Sequence, residues 1–335
     1  KQQASVYTFD LTVTDNCNYR CTYCFEEGNF VDKKFDEAEM LYARLEEMRE
    51  SEWFKESYNL VNINFWGGEA SMNMPLVKQV FDRYAEDDGV IMFIYSNASK
   101  VKPYFEMFEK VQNKFIMGRP KLSIQFSYDG QPINDIKRPD IAGKSTTDRI
   151  KEAYRYFVKR GWPVTLKATI TPDMFKHLHE AYRDYYELTQ GKVTYFPTIE
   201  YYHIERLDDE TFNQYKKDLQ TNLIKIAKDE KKRMIETGMS SFAWFNPNRA
   251  LCSAGAHMSV ITTDSELYKC HGCLYNQDDK QAHKVTTLHH EDTWLDQLIE
   301  SSKAHQEVVH FIPEGCRTCE ATFCIKCNAA KFSES

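Results

Sequence analysis

Between residues 5 and about 202 the chain alternates short β-rich apolar runs with stretches whose apolar residues recur at helical spacing. Few folds accept that rhythm. The strand candidates are residues 6–13, 60–66, 90–95, 122–127, 164–170 and 193–201, rich in β-branched and aromatic side chains. Between them lie the helix candidates 35–50, 75–86, 104–114, 146–159 and 175–188. Strands separated by helices pair in parallel through right-handed crossovers. The pattern therefore predicts an α/β fold, a (β/α)6 partial TIM barrel. In such sheets the chemistry collects at the carboxyl ends of the strands. Residues 211–237 read as a long, highly charged connecting helix. From residue 241 the pattern changes to seven cysteines and short β-like runs, with little helical periodicity until 293–306. The expected division is a barrel over 1–205, a helical connector over 206–240 and a small cysteine-rich domain over 241–335.

Directly after the first strand candidate stand Cys17, Cys21 and Cys24, spaced CxxxCxxC. Three thiolates in one short loop can hold three corners of a cubane iron–sulfur cluster, which normally takes four cysteines. The fourth iron is then open to a substrate or cofactor, whereas a structural zinc site closes its coordination. A zinc knuckle or a half-buried thiol cluster is the alternative reading, although zinc sites usually space their ligands differently. The ten cysteines are clustered along a long chain, which points to metal binding in a reducing compartment, the cytoplasm, and away from disulfides. A formal net charge of −7 without a basic stripe argues against nucleic acid as the main partner. The absence of any apolar run of about 18 residues argues against a membrane-spanning helix. No signal peptide is evident.

With aromatic Tyr23 just before its third cysteine, the triplet resembles the signature of the radical S-adenosylmethionine enzymes. The resemblance implies a [4Fe-4S] cluster on Cys17, Cys21 and Cys24 whose open iron chelates S-adenosylmethionine. Reductive cleavage of that cofactor then yields a 5′-deoxyadenosyl radical that abstracts hydrogen from the substrate. Gly67, Gly68 and Glu69 end the second strand candidate; the glycines allow a ligand close to the backbone, and Glu69 offers an acceptor to an ammonium group. They resemble the family's GGE motif, which holds the cofactor's amino group. Ser96 and Asn97 after the third strand, and Asp129 in Ser127-Tyr128-Asp129-Gly130 after the fourth, resemble polar strand ends that contact ribose and methionine. Ordinary turn chemistry is the alternative at each place. Lys167 stands where many relatives carry an arginine for the cofactor carboxylate; lysine supplies the charge without the bidentate fork.

Cys316, Cys319, Cys324 and Cys327 alone could form a zinc ribbon. With Cys252, Cys270 and Cys273 they resemble a SPASM domain, the auxiliary-cluster extension of many radical S-adenosylmethionine enzymes. The chain departs from that pattern in four ways. Ser265 replaces a glycine, Cys273 is extra, the later spacings are each one residue short, and no cysteine follows Cys327. The resemblance implies one or two auxiliary [4Fe-4S] clusters. The family's partition assigns Cys252, Cys270 and Cys327 to the first, with Cys273 as a candidate fourth ligand, and Cys316, Cys319 and Cys324 to the second. Another partition gives Cys316, Cys319, Cys324 and Cys327 one complete cluster and leaves an open iron on the other. His271 follows Cys270 where sulfatase-maturing relatives carry an aspartate that accepts a proton. Histidine can do the same, or serve as a structural hydrogen bonder.

The family implies a maturase that forms a thioether between a cysteine sulfur and a carbon of a ribosomally made precursor peptide. Tyr195, Phe196, Tyr201 and Tyr202 either line the peptide cleft or belong to the core. Carbon–carbon (cyclophane-type) crosslinking, sulfatase-type oxidation and peptide epimerisation are the alternatives within the class. An iron–sulfur or zinc electron-transfer protein is the alternative outside it. The implied partners are the precursor peptide and an electron donor such as flavodoxin or ferredoxin. The chain opens on Lys1 a few residues before its first strand, leaving no room for an N-terminal winged leader-binding domain. That function is then expected elsewhere, on a removed segment or on a separate protein.

Overall fold

A computed structural model of the chain describes residues 5–24, 26, 30–112, 114–200, 207–242, 255–274 and 280–309. Strands β1 (Val6–Thr14), β2 (Leu60–Gly67) and β3 (Val90–Ser96) are parallel neighbours. After a hairpin of β4 (Phe115–Ile116) and β5 (Arg119–Pro120), β6 (Leu122–Ser127) adds to β3 and β7 (Val164–Lys167) adds to β6, again in parallel. One residue on, β8 (Thr169–Ile170) pairs in parallel with β9 (Thr198–Ile199). The crossovers carry α1 (Ala38–Glu50), α2 (Glu52–Ser57), α3 (Met74–Tyr84), α4 (Phe105–Lys110), α5 (Ile133–Lys137), α6 (Thr147–Lys159) and α7 (Leu178–Thr189). This is the partial-barrel α/β arrangement that the alternation predicts.

Two elements are shorter than their sequence pattern. The helix expected over 104–114 stops at Lys110, ahead of the hairpin, whose turn uses left-handed Met117 (φ 49°) and Gly118 (φ 82°). Among the described residues, the last barrel strand, expected over 193–201, pairs with β8 at Thr198–Ile199 and otherwise makes a single bridge from Tyr195 to Phe242. Tyr195 is instead fully buried; its N–H donates to Ser241 O (2.7 Å) and its hydroxyl to Asp129 O (3.0 Å). Core packing takes that side chain from the cleft. Tyr201 and Tyr202 lie outside the described residues.

The two sheet faces differ in chemistry. Tyr7, Phe9, Leu11 and Val13 of β1 join Ile63 and Phe65 of β2, Met92 and Ile94 of β3, and Leu122, Ile124 and Phe126 of β6 in one core with α1, α3 and α6. Each large apolar side chain so buried stabilises the fold by roughly 1.5–3 kcal/mol. The alternate positions include Asp10, Thr12, Asn64, Ser123, Gln125, Ser127, Thr165 and Lys167, of which those on β6 and β7 are half-buried. The inner face mixes these polar side chains with the aromatic rings of Trp66, Phe93 and Tyr95.

Helix α8 (Asp209–Thr237) starts where Asp208 accepts from Thr211 N (2.7 Å) and stops at left-handed Gly238 (φ 72°). Beyond it, β10 (Met258–Ile261) pairs in parallel with β1, and β11 (Glu266–Tyr268) and β12 (Lys284–Thr287) continue the sheet antiparallel. The β1 edge is thereby covered, in the order β12-β11-β10-β1-β2-β3-β6-β7. Helix α9 (Trp294–Val309) packs on β12. Among the described residues no helix is long and apolar enough to cross a membrane.

Candidate functional site

The loop that carries the cysteine triplet leaves the carboxyl end of β1 and is fastened to the end of β2. Gly68 N donates to Thr14 O (3.0 Å) and Glu69 N to Asn16 O (2.9 Å). The two glycines make this contact possible. Gly67 has a φ of 122°, and a Cβ there would lie 2.2 Å from Thr14 O. A Cβ on Gly68 would lie 2.3 Å from Asn16 O and 3.1 Å from the Cys17 Cβ. The sequence reading gave these glycines a ligand's approach to admit; the structure brings the cysteine loop against them.

Glu69 is buried, and its carboxylate accepts from Ser71 N (3.1 Å), Ser96 Oγ (2.9 Å) and Asn97 N (2.6 Å). Burial raises its pKa, and those donors oppose the rise. Asn97 then reaches the triplet, donating through Nδ2 to Asn18 Oδ1 (2.9 Å) and Cys17 Sγ (3.7 Å). Glu69, Ser96 and Asn97 thus form one bracket across the ends of β2 and β3 that ends on a cysteine. Burial pushes the Cys17 and Cys24 thiols up to about 12 and raises Cys21. Thiols so buried ionise only beside a cation or metal. Among the described residues no three cysteine, histidine or carboxylate groups converge as ligands of a single ion.

Asp129, fully buried after β6, accepts from Tyr23 OH (2.6 Å), Arg138 Nε (2.9 Å) and Thr169 N (2.8 Å). Arg138 was not singled out from the sequence, and neither was Asn18. Asn18 sits at an unspecified position of the cysteine motif and meets Asn97 79 residues away, and Arg138 belongs to no local motif. Lys167 donates to Phe196 O (3.2 Å) and lies 4.8 Å from the centre of the Phe196 ring.

His271 comes to the inner face of the sheet. Its ring stacks on Trp66 (4.5 Å between centroids), and Trp66 meets Tyr95 edge-on. His271 Nδ1 lies 3.4 Å from Asp10 Oδ2, and Asn64 Nδ2 donates to Asp10 Oδ1 (2.6 Å). Burial pulls the imidazole down, but the Asp10 contact, Cys270 and Glu26 hold its pKa at about 9. Cys270 Sγ accepts from Gly272 N (3.2 Å). Cys252, Cys316, Cys319, Cys324 and Cys327 lie outside the described residues, as does the side chain of Cys273. Beside the cysteine loop, a cavity of about 500 Å³ is lined by Thr12, Asp15, Glu26, Lys33, Thr263 and Lys280, among others.

The fold is similar to that of anSMEcpe with bound AdoMet, with a TM-score of 0.66 and 16% identity over 97% of this chain and 86% of that one. It is also similar to Streptococcus suis SuiB bound to S-adenosylmethionine (TM-score 0.59, 14% identity, 99% of this chain and 75% of that one). A SuiB structure bound to precursor peptide SuiA gives a TM-score of 0.55 at 14% identity, over 93% of this chain and 68% of that one. At such identities the likeness is one of fold. No curated protein matches the chain in sequence. The model of the Radical SAM superfamily matches residues 11–189, more than half of the chain, and so spans the triplet, the Gly67–Glu69 turn and the strand ends facing them. The chain is an enzyme that belongs to the radical SAM superfamily.

Proposed function

We propose that this enzyme matures a ribosomally made precursor peptide by forming a thioether between a cysteine sulfur and a carbon. The observation that carries the peptide reading is the inner sheet face running up to the triplet, where Ser123, Gln125, Ser127 and Thr165 offer partners to an extended backbone beside the rings of Trp66, Phe93 and Tyr95. In support, SuiB has been seen with precursor peptide SuiA and anSMEcpe with peptide Cp18Cys. Three thiols in one loop, Cys17 buried and Cys21 and Cys24 half-buried, suit a [4Fe-4S] cluster with an open iron. When bound, that cluster and S-adenosylmethionine supply a 5′-deoxyadenosyl radical that takes a hydrogen atom from a substrate carbon.

The residues around the triplet bind and orient. Gly67, Gly68 and Glu69 would hold the amino group of S-adenosylmethionine, Ser96, Asn97 and Asp129 its ribose and methionine parts, and Lys167 its carboxylate. His271, held between Asp10 and Trp66 with its pKa at about 9, would be an imidazolium near neutral pH and would hold the substrate thiolate as a donor; acting as proton acceptor would require a pH above about 9. The tail over 241–335 is assigned as the SPASM-like domain, joined to the barrel of 1–205 by the connector of 206–240. It carries one or two auxiliary clusters on Cys252, Cys270, Cys273, Cys316, Cys319, Cys324 and Cys327. An open auxiliary iron would hold the substrate thiolate, and the electron released when the substrate radical joins that sulfur would pass to the auxiliary clusters, which is why thioether formation is preferred. Such clusters need a reducing compartment, the cytoplasm, an electron donor such as flavodoxin or ferredoxin, and a leader-binding function that a separate protein could supply.

The test is anaerobic incubation of the reconstituted enzyme with S-adenosylmethionine, a reductant and any short cysteine-containing peptide that proves to be encoded beside its gene. The expected result is 5′-deoxyadenosine, together with a peptide two hydrogens lighter that no longer reacts with a thiol alkylating agent. The same mass loss with an alkylatable thiol means carbon–carbon crosslinking or oxidation. Deoxyadenosine with unchanged peptide mass means epimerisation. Absence of deoxyadenosine overturns the reading.

A further inference from the structure

Cys21 is held differently from the other two cysteines of its loop. Its flanking residues pair with the backbone on either side of Arg138: Thr22 N donates to Lys137 O (2.9 Å) and Arg20 N to Pro139 O (2.9 Å). This places Arg138 opposite Cys21, with Arg138 Nη1 lying 3.8 Å from Cys21 Sγ. The guanidinium is buried, donates through Nε to Asp129 and covers the Tyr23 ring at 5.1 Å from its centre. Tyr23 in turn donates its hydroxyl to the same Asp129 oxygen. The backbone at Arg138 is also fixed, since its N–H donates to Asn134 O and its carbonyl accepts from Thr146 Oγ1 (2.8 Å). Cys17, by contrast, takes neutral donors, Tyr19 N (3.5 Å) and Asn97 Nδ2 (3.7 Å).

A buried guanidinium needs a counter-charge, and Asp129 is that partner. The fork has donors to spare, and one of them points at sulfur. A charged N–H donor beside a cluster thiolate stabilises the more negative, reduced cluster, because hydrogen bonds to sulfur and local charge set the potential. We propose that Arg138 is a positioning residue that orients Cys21 and raises the reduction potential of the cluster held by the triplet. The inference rests on reading Cys17, Cys21 and Cys24 as cluster ligands. Asp129 carries the opposite charge and is bound to the far side of the guanidinium, at Nε (2.9 Å), whereas Arg138 Nη1 faces the sulfur directly, so Asp129 has the weaker influence of the two. The two residues therefore tune the potential in opposite directions.

The test is an EPR-monitored redox titration of the reconstituted enzyme, following the reduced signal that changes when S-adenosylmethionine is added, with iron counted in every variant. At the potential where the wild-type signal is half reduced, Arg138→Gln is expected to lower the ratio of reduced to oxidised cluster about tenfold, a shift of about 59 mV for one electron. Arg138→Lys should fall between the two, and Asp129→Asn should shift the other way. Opposite signs from two partners of one ion pair are not expected of a purely structural role. If Arg138→Gln fails to fold or load, Asp129→Asn combined with Arg138→Gln removes the pair without leaving a lone buried charge. That double variant should still titrate below wild type. Full iron content with an unchanged potential in the variant that loads overturns the inference and leaves the cluster reading standing. A wild-type enzyme with no S-adenosylmethionine-responsive signal overturns both.

Discussion

Gly68 shows how a motif residue can serve a different contact from the one its motif suggests. Its missing side chain matters because Asn16 O and the Cys17 Cβ occupy the space a Cβ would need. Gly68→Ala should therefore push the cysteine loop off the end of β2, at a cost of about 1–3 kcal/mol typical of overpacking. The measurement is thermal unfolding together with iron per chain after reconstitution. Lower stability with iron lost from the triplet is expected; wild-type iron loading and melting temperature would show that the loop absorbs the methyl. Cys17, Cys21, Cys24, Glu69, Ser96 and Asn97 were legible from the sequence because each sits in a short local pattern at a strand end. Asn18, Asp10 and Arg138 were not, because their partners Asn97, His271 and Cys21 are brought to them by the fold.

Helices and strands that carry a strong period end close to where the sequence places them. The expected 146–159 is observed as Thr147–Lys159, and 211–237 as Asp209–Thr237, the latter delimited by Asp208 and Gly238. Periodicity alone did not give the joining of β10 to β1 or the seat of α9. Trp294 makes part of that seat: it is about 1% exposed, and its Nε1 donates to Glu47 on α1 (2.7 Å). Trp294→Ala should cost about 3–5 kcal/mol through the cavity it leaves. Trp294→Phe, which loses mainly the hydrogen bond, should cost about 1 kcal/mol. Hydrogen exchange should quicken across β10, β11, β12 and α9 in the alanine variant. Exchange unchanged there would mean that this segment is held by other contacts.

At the scale of the whole molecule, the proposed clusters should govern both composition and stability. Reconstituted protein is expected to carry about twelve irons, falling to about eight when Cys17, Cys21 and Cys24 are changed to alanine, at about four irons per cubane. About eight falling to about four would mean a single auxiliary cluster. Zinc in the C-terminal segment, with no iron lost in the triple variant, would sink the cluster assignment. The loaded protein should also melt higher than protein stripped by a chelator, because metal binding is coupled to folding. The sequence by itself determined the alternation of strands and helices, the polar strand ends and the three thiols, since each depends on residues close together in the chain. Only the tertiary structure decided that the glycine turn clasps the cysteine loop, that β10 extends the barrel sheet, and that Arg138 faces Cys21. Those contacts join residues distant in sequence, and their geometry depends on how the strands register and the crossovers pack, which no local pattern encodes.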